Sequence, residues 1–172
     1  KTGAEEAKRI EGEIIPLDQL KGTEGKNGYI KRFPIGVILG ITPWNFPVNL
    51  VAHKIAPALA SGNTLLLKPA SASLCSGIEI VKIIKEVSEE MKLGYCPVNV
   101  VTSSGSEIEE FSADDRIKMV SFTGSPLVGW SIKKKLSKQK ISLELGGNAG
   151  VIVDETADIE TAIPKIITGG FY

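Results

Sequence analysis

The 172-residue sequence predicts an α/β fold: a mostly parallel, twisted sheet with helices on both faces, preceded by an antiparallel β-hairpin. Three observations lead there. Short, near-continuous apolar runs recur at 37–41, 64–67, 98–101 and 119–122, as in strands covered on both faces. Longer segments of helical periodicity separate them. The polar and unusual residues collect just after the carboxyl ends of these strands.

Each element has its own warrant. Residues 3–11 are rich in Ala, Glu, Lys and Arg and read as the end of a helix. Strand-like stretches at 13–20 and 29–35 flank a Gly-Thr-Glu-Gly-Lys-Asn-Gly loop and predict a hairpin with an uncovered edge. From Gly36 the pattern becomes βα alternation. A strand at 37–41 leads to a helix at 48–60, closed by Gly62, and a strand at 64–67 ends at Lys68-Pro69. The helix at 73–91 is amphipathic, with Ile78, Val81, Ile84 and Val87 expected on its packed side. A strand at 98–101, a Ser-Gly turn, a short helix, a strand at 119–122 and a helix at 126–136 follow. Strands at 141–145 and 150–153 and a helix at 159–168 complete the reading.

Composition narrows the function classes. Twenty basic and twenty acidic residues cancel, so nothing marks the chain for a phosphate backbone and nucleic acid is not an expected partner. Lys133-Lys134-Lys135 reads as a solvated helix end. Apolar runs such as 37–41 are far too short to cross a bilayer. Two cysteines, Cys75 and Cys96, with no pairing pattern fit a reducing compartment, so a cytoplasmic location is expected. The chain starts at Lys1 and stops on Gly169-Gly170-Phe171-Tyr172; both ends read as cuts, and a piece of a longer polypeptide is expected.

In an open parallel sheet, ligands bind beyond the carboxyl ends of the strands. Here those ends read Thr42-Pro43-Trp44-Asn45, Lys68-Pro69-Ala70-Ser71, Thr102-Ser103-Ser104-Gly105, Thr123-Gly124-Ser125 and Glu144-Leu145-Gly146-Gly147. A carboxylate such as Glu144, buried beside glycines, would have its pKa pushed up towards that of a general base. Thr123-Gly124-Ser125 joins strand to helix and offers N–H groups to a phosphate. No G-x-G-x-x-G occurs. Lys68 suits a ribose hydroxyl or a phosphate, and the Asn45 amide can donate to a developing oxyanion. Each has an ordinary reading too: an exposed Glu before a turn, a helix cap, a solvated lysine, an Asn capping the helix at 48. Their coincidence on one rim carries the functional reading. His53, Cys75 and Cys96 lie off that rim and are expected to be structural.

Together, Pro43-Trp44-Asn45-Phe46-Pro47, Lys68-Pro69-Ala70, Phe122-Thr123-Gly124-Ser125 and Glu144-Leu145-Gly146-Gly147 resemble the aldehyde dehydrogenase superfamily, over practically the whole chain. The resemblance implies a Rossmann-like variant that oxidises an aldehyde to a carboxylic acid with NAD or NADP, by the hydrolytic route. By matching position, Asn45 would donate to the oxyanion and Glu144 would activate water as general base. Lys68 and Ser71 would face the adenosine ribose, and Gly124 and Ser125 the pyrophosphate. Ile41, Pro43, Trp44, Leu145 and Gly146 would line the cofactor cleft, with Gly105 also at the cofactor.

The resemblance also implies three regions: an oligomerisation-type hairpin at 1–35, a partial cofactor-binding domain at 36–148, and the start of a catalytic domain at 149–172. Pairing of subunits through the hairpin, into a dimer or tetramer, would cover its open edge. Three departures stand out. The family's nucleophilic cysteine would follow a segment like 169–172, so this chain is expected to be inactive alone. Ser71 stands where NAD-preferring members often carry Glu, which admits NADP. Glu109 stands where the family often has a second glycine. A non-catalytic nucleotide-binding module and a purely structural subunit are the competing readings, and the joint presence of Asn45, Lys68 and Glu144 argues against both.

Overall fold

The computed structural model describes residues 1–171; Tyr172 lies outside the described residues. A short helix, α1 (Thr2–Ala7), precedes a two-stranded antiparallel hairpin, β1 (Glu13–Pro16) and β2 (Asn27–Ile30). The main sheet then builds as β3 (Val37–Ile41), α2 (Asn49–Ala60), β4 (Thr64–Lys68), α3 (Leu74–Glu90), β5 (Val98–Val100), α4 (Gly105–Phe111), β6 (Ile117–Gly124), α5 (Pro126–Lys135) and β7 (Lys140–Leu145). Helix α6 (Ile159–Phe171) is the last element of the described residues. The five strands run parallel in the order β5-β4-β3-β6-β7.

The pleat sends alternate residues of each strand to opposite faces. Ile38, Leu65, Leu67 and Val98 point to one face, where Val51, Ile55 and Ala58 of α2 and Ile80, Val81 and Ile84 of α3 cover them. Leu39, Ile41, Val120 and Phe122 point to the other, under Ile108 of α4 and Ile132 of α5. Leu39, Leu67, Val98, Val120 and Ile132 are fully buried, each side chain contributing about 1.5–3 kcal/mol. Covering both faces is what the unbroken apolar runs required.

Several boundaries differ from the sequence expectation. The hairpin strands are shorter than 13–20 and 29–35, because Pro16 brings no N–H to the ladder and the backbone beyond Ile30 leaves its partner. Helix α1 stops at Ala7, before residue 11. Val87 faces solvent; the packed stripe of α3 runs instead through Gly77, Val81, Ile84 and Ser88, the last turned inward by a bond from its hydroxyl to the Ile84 carbonyl (2.6 Å). Gly77 lies so close to Pro69 that a Cβ there would stand 2.9 Å from its Cγ.

The strand expected at 150–153 does not form. Its backbone has no ladder partner among the described residues, and Val151, Ile152 and Val153 are exposed. Asn63 ties the entry of β3 in place: its Oδ1 accepts from the N–H groups of Ile35 (2.7 Å) and Gly36 (3.0 Å).

The double-sided core sets a first prediction. Leu39→Ala should destabilise the chain by about 2–5 kcal/mol, read as a lower urea midpoint at unchanged slope. A loss below about 0.5 kcal/mol would contradict the burial described.

Candidate functional site

From β3 the chain steps outward to β4 and β5, then returns past β3 to build β6 and β7 on its other side. The strand order therefore reverses between β3 and β6, and at such a switch point the two following loops part to leave a crevice. Register aligns the strand ends: Ile41 stands beside Lys68 on one side and Phe122 on the other, Thr123 beside Glu144, and Gly124 beside Leu145. Beyond β3 come Pro43, Trp44 and Asn45, the last two exposed. Ser71 is exposed at the start of a 3₁₀ turn (Ser71–Ser73) after β4. Gly105 opens α4, Ser125 precedes α5, and Gly146 follows β7. The predicted site residues thus share one rim.

Glu144 departs from expectation. β7 is the edge strand, its residues alternate exposed and half-buried, and Glu144 falls on the open side. The burial expected of this carboxylate is absent because no element among the described residues covers that face of β7.

Two helix mouths open on the rim, and they are not equivalent. At α4 the Ser104 N–H donates to the Glu107 carboxylate (2.7 Å) while the Ser104 hydroxyl caps the first turn, so the chain's own carboxylate closes that mouth. These bonds hold the Glu107 carboxyl below the usual range. At α5 the cap is the Ser125 hydroxyl, accepting from the Val128 N–H (3.4 Å), with Pro126 at the first helical position and no acidic residue in the first turn. The positive end of α5 remains available to an anion. Gly124 is fixed by packing: a Cβ there would lie 2.7 Å from the buried Phe122 ring. A Cβ at Gly105 would meet nothing within 4 Å.

Asn45 does not cap α2, which has no side-chain cap; this removes the ordinary reading of that residue. The next residue, Phe46, adopts a left-handed backbone (φ 49°), which costs a bulky residue about 1–2 kcal/mol. The turn is held in a conformation that leaves the Asn45 side chain exposed at the rim.

Sequence reasoning missed Lys54. It lies in α2 at 9% exposure, and its Nζ donates to Thr123 Oγ1 (2.7 Å). Gly40 makes room for it, since a Cβ there would come within 3.3 Å of Lys54 Cβ. Burial pushes the Lys54 ammonium below the usual lysine range, and the charge of Glu144 opposes that shift. Lys54, Thr123 and Glu144 thus form a polar row across α2, β6 and β7. The helical spacing around Lys54 gave no signal of it; the opposing glycine two strand positions before Thr42 was the only trace. At the rim, the buried hydroxyl oxygens of Thr42 and Ser103 have no hydrogen-bond partner among the described residues.

Glu109, where the family often has glycine, clamps two helices. Its carboxylate accepts from the Ser131 hydroxyl (2.8 Å) and pairs with Lys135 (3.0 Å), both on α5. Those bonds, the Ser131 one foremost, hold its carboxyl below the usual range.

The profile described as Aldehyde dehydrogenase family matches residues 1–172. The chain belongs to the aldehyde dehydrogenase family. Among curated aldehyde dehydrogenases, the 3-sulfolactaldehyde dehydrogenase of Priestia megaterium is 41% identical over 98% of this chain and 35% of its own length. The chain therefore spans about a third of the length of the curated relatives it matches. Aldehyde dehydrogenase 21 of Physcomitrella patens, solved with the reaction product succinate, superposes with a TM-score of 0.89 at 41% identity, over 99% of this chain and 35% of that one. The NADP-dependent glyceraldehyde-3-phosphate dehydrogenase of Bacillus halodurans, solved with NADP, gives a TM-score of 0.89 at 38% identity over 99% of this chain and 35% of that one. The α/β architecture with its parallel sheet is the one these aldehyde dehydrogenases share.

Lys54 provides the second prediction. Its folded-state pKa lies below the unfolded value of about 10.4, so between the two the unfolded chain binds more protons and stability rises with pH. Lys54→Met should flatten that alkaline rise in urea titrations. Glu144→Gln should move its onset to lower pH, because the opposing charge is gone; an unchanged profile in both variants would exclude the row. Thr123→Val, which strips the buried ammonium of its acceptor, should cost about 1–3 kcal/mol.

Proposed function

We propose that the chain is the cofactor-binding part of an NAD(P)-dependent aldehyde dehydrogenase, working with a cysteine nucleophile supplied from outside these residues. The observation that carries the reading is the crevice at the β3/β6 switch point, rimmed by Asn45, Lys68, Ser71, Gly124-Ser125 and Glu144.

The rim fits a nicotinamide dinucleotide. The mouth of α5 suits a pyrophosphate, with Gly124 allowing close backbone approach and Ser125 at the cap. Lys68 is half-buried beside Ile41 and, among the described residues, belongs to no ion pair, so its ammonium is available to the ribose. The unpartnered Thr42 and Ser103 hydroxyls lie at the same edge. Pro43, Trp44, Leu145, Gly146 and Gly105 would form the surrounding walls. Bound there, the nucleotide supplies the acceptor for the hydride that leaves the aldehyde carbon.

The chain's own residues serve the charges that develop. A thiolate added to the aldehyde leaves an oxyanion, and the Asn45 amide would donate to it without carrying a charge; losing one such donor costs about 3–4 kcal/mol of transition-state stabilisation. Glu144 would take a proton from the water that cleaves the thioester. Lys54, held on Thr123 and sensing the charge of Glu144, would keep a cation on the same face of the sheet as that carboxylate. The burial that tunes Glu144 as a base would come from polypeptide laid over the open face of β7. Residues 1–35 would serve oligomerisation, through a hairpin that exposes Ile14, Leu17, Leu20 and Tyr29. Residues 149–172 would begin the catalytic domain. No helix of the described residues is long and apolar enough to cross a membrane, and a cytoplasmic location is proposed.

Two outcomes test the reading. Calorimetry should give NADP and NAD dissociation constants within about tenfold, or 1.4 kcal/mol, because exposed Ser71 presents no carboxylate to a 2′-phosphate; a much larger preference for NAD would count against the ribose assignment. The chain alone, given aldehyde and either nucleotide, should produce no reduced nicotinamide. Turnover by the isolated chain would overturn the division of labour.

A further inference from the structure

Behind the rim at the end of β4, Gly77 of α3 meets Pro69, and both residues are buried. A Cβ at position 77 would stand 2.9 Å from Pro69 Cγ, 3.0 Å from Pro69 Cβ and 3.5 Å from Leu67 Cδ2. Carbon atoms pack at about 3.5–4.0 Å, so the helix or the proline would have to give by about half an ångström. A change of ring pucker moves Cγ but leaves Cβ where the backbone holds it, so puckering alone does not relieve the contact. Nothing else at position 77 calls for glycine. Its backbone is not left-handed, and in the early turns of a helix alanine is the better helix former. The missing side chain at 77 answers to Pro69.

Pro69 in turn is tied to the groups that face the crevice. On one side, the Lys68 carbonyl accepts from the Thr42 N–H (3.2 Å), which joins it to the loop that carries Asn45. On the other, the Ala70 carbonyl accepts from the Ser73 N–H (3.0 Å) and closes the 3₁₀ turn that presents Ser71. The ring fixes the φ of Pro69 and leaves it little torsional freedom to absorb a push. A displacement of Pro69 therefore passes to Lys68 and Ser71.

We infer, on the reading that Lys68 and Ser71 face the nucleotide ribose, that Gly77 is a positioning residue for the cofactor. By lacking a Cβ it seats Pro69 on α3, and that seat sets the Lys68 ammonium and the Ser71 hydroxyl at their distances from the ribose. Buried under Pro69, Gly77 touches no ligand itself and acts through these two neighbours. Binding groups have to be held within about 0.5 Å of their productive geometry, which is the size of the shift a methyl group at 77 would force.

The test is calorimetric titration of NADP into the 172-residue chain and its variants, with folding verified by circular dichroism. Gly77→Ala should weaken NADP binding at least about tenfold. Pro69→Ala opens the same contact from the other side without a clash, and should weaken binding by about threefold or more even if Gly77→Ala does not fold. Ser88→Ala, also buried on α3 and stripped of its bond to Ile84, should lose stability yet keep its NADP affinity within about twofold. A double-mutant cycle separates positioning from general loosening: on a Lys68→Met background, Gly77→Ala should cost less than about twofold. The inference alone is overturned if the wild-type chain binds NADP and the variants at 77 and 69 bind it equally well. It is overturned too if Ser88→Ala weakens binding as much as Gly77→Ala, or if the Gly77→Ala and Lys68→Met losses multiply in full. A wild-type chain that binds neither NADP nor NAD overturns the nucleotide reading itself, and the positioning role with it.

Discussion

The pairing of β3 with β6 is the constraint on which the site depends. It joins strands that are distant in sequence, and it is where the outward growth of the sheet reverses. Sliding that ladder by one residue would turn Ile38 and Leu39 to the wrong faces and undo both core layers at once. The same ladder sets Ile41 against Phe122, and so brings the loop that carries Asn45 next to the mouth of α5. Packing of the interior and geometry of the rim are therefore one fact. The apolar residues that hold the sheet together also fix the spacing of the polar groups at its edge.

The two faces of the sheet end differently at β7. On the α4/α5 side, Ile141, Leu143 and Leu145 continue the apolar layer to the edge. On the α2/α3 side the helices stop short, and Lys140, Ser142 and Glu144 stand exposed beside half-buried Met119, Ser121 and Thr123. An apolar edge would be left wet there; the sequence instead places polar groups on it.

The parallel sheet and its rim were readable in advance because fully covered strands must be apolar throughout, as 37–41 and 64–67 are. What was not readable depends on neighbours. Glu144 reads as buried because it ends a strand of the sheet beside two glycines, but a strand's membership of the sheet does not say whether anything lies over its edge. Residues 150–153 look like a strand and have no ladder to join. Pro16 shortens β1 where the apolar pattern runs on. Lys54 sits among helical residues with nothing to distinguish it; its meaning comes from Gly40 beneath it and Thr123 opposite, residues of two other strands.

Two of the rim glycines, Gly105 and Gly124, lead very different lives. Position 105 looks onto open space and would accept a methyl group without displacing anything, so sequence drift there is sterically free. Position 124 sits against a phenyl ring that is itself locked inside the protein, and its freedom to vary is foreclosed by Phe122 before any ligand arrives. An invariant glycine at 124 across related proteins would therefore be a record of interior architecture as much as of what the crevice holds.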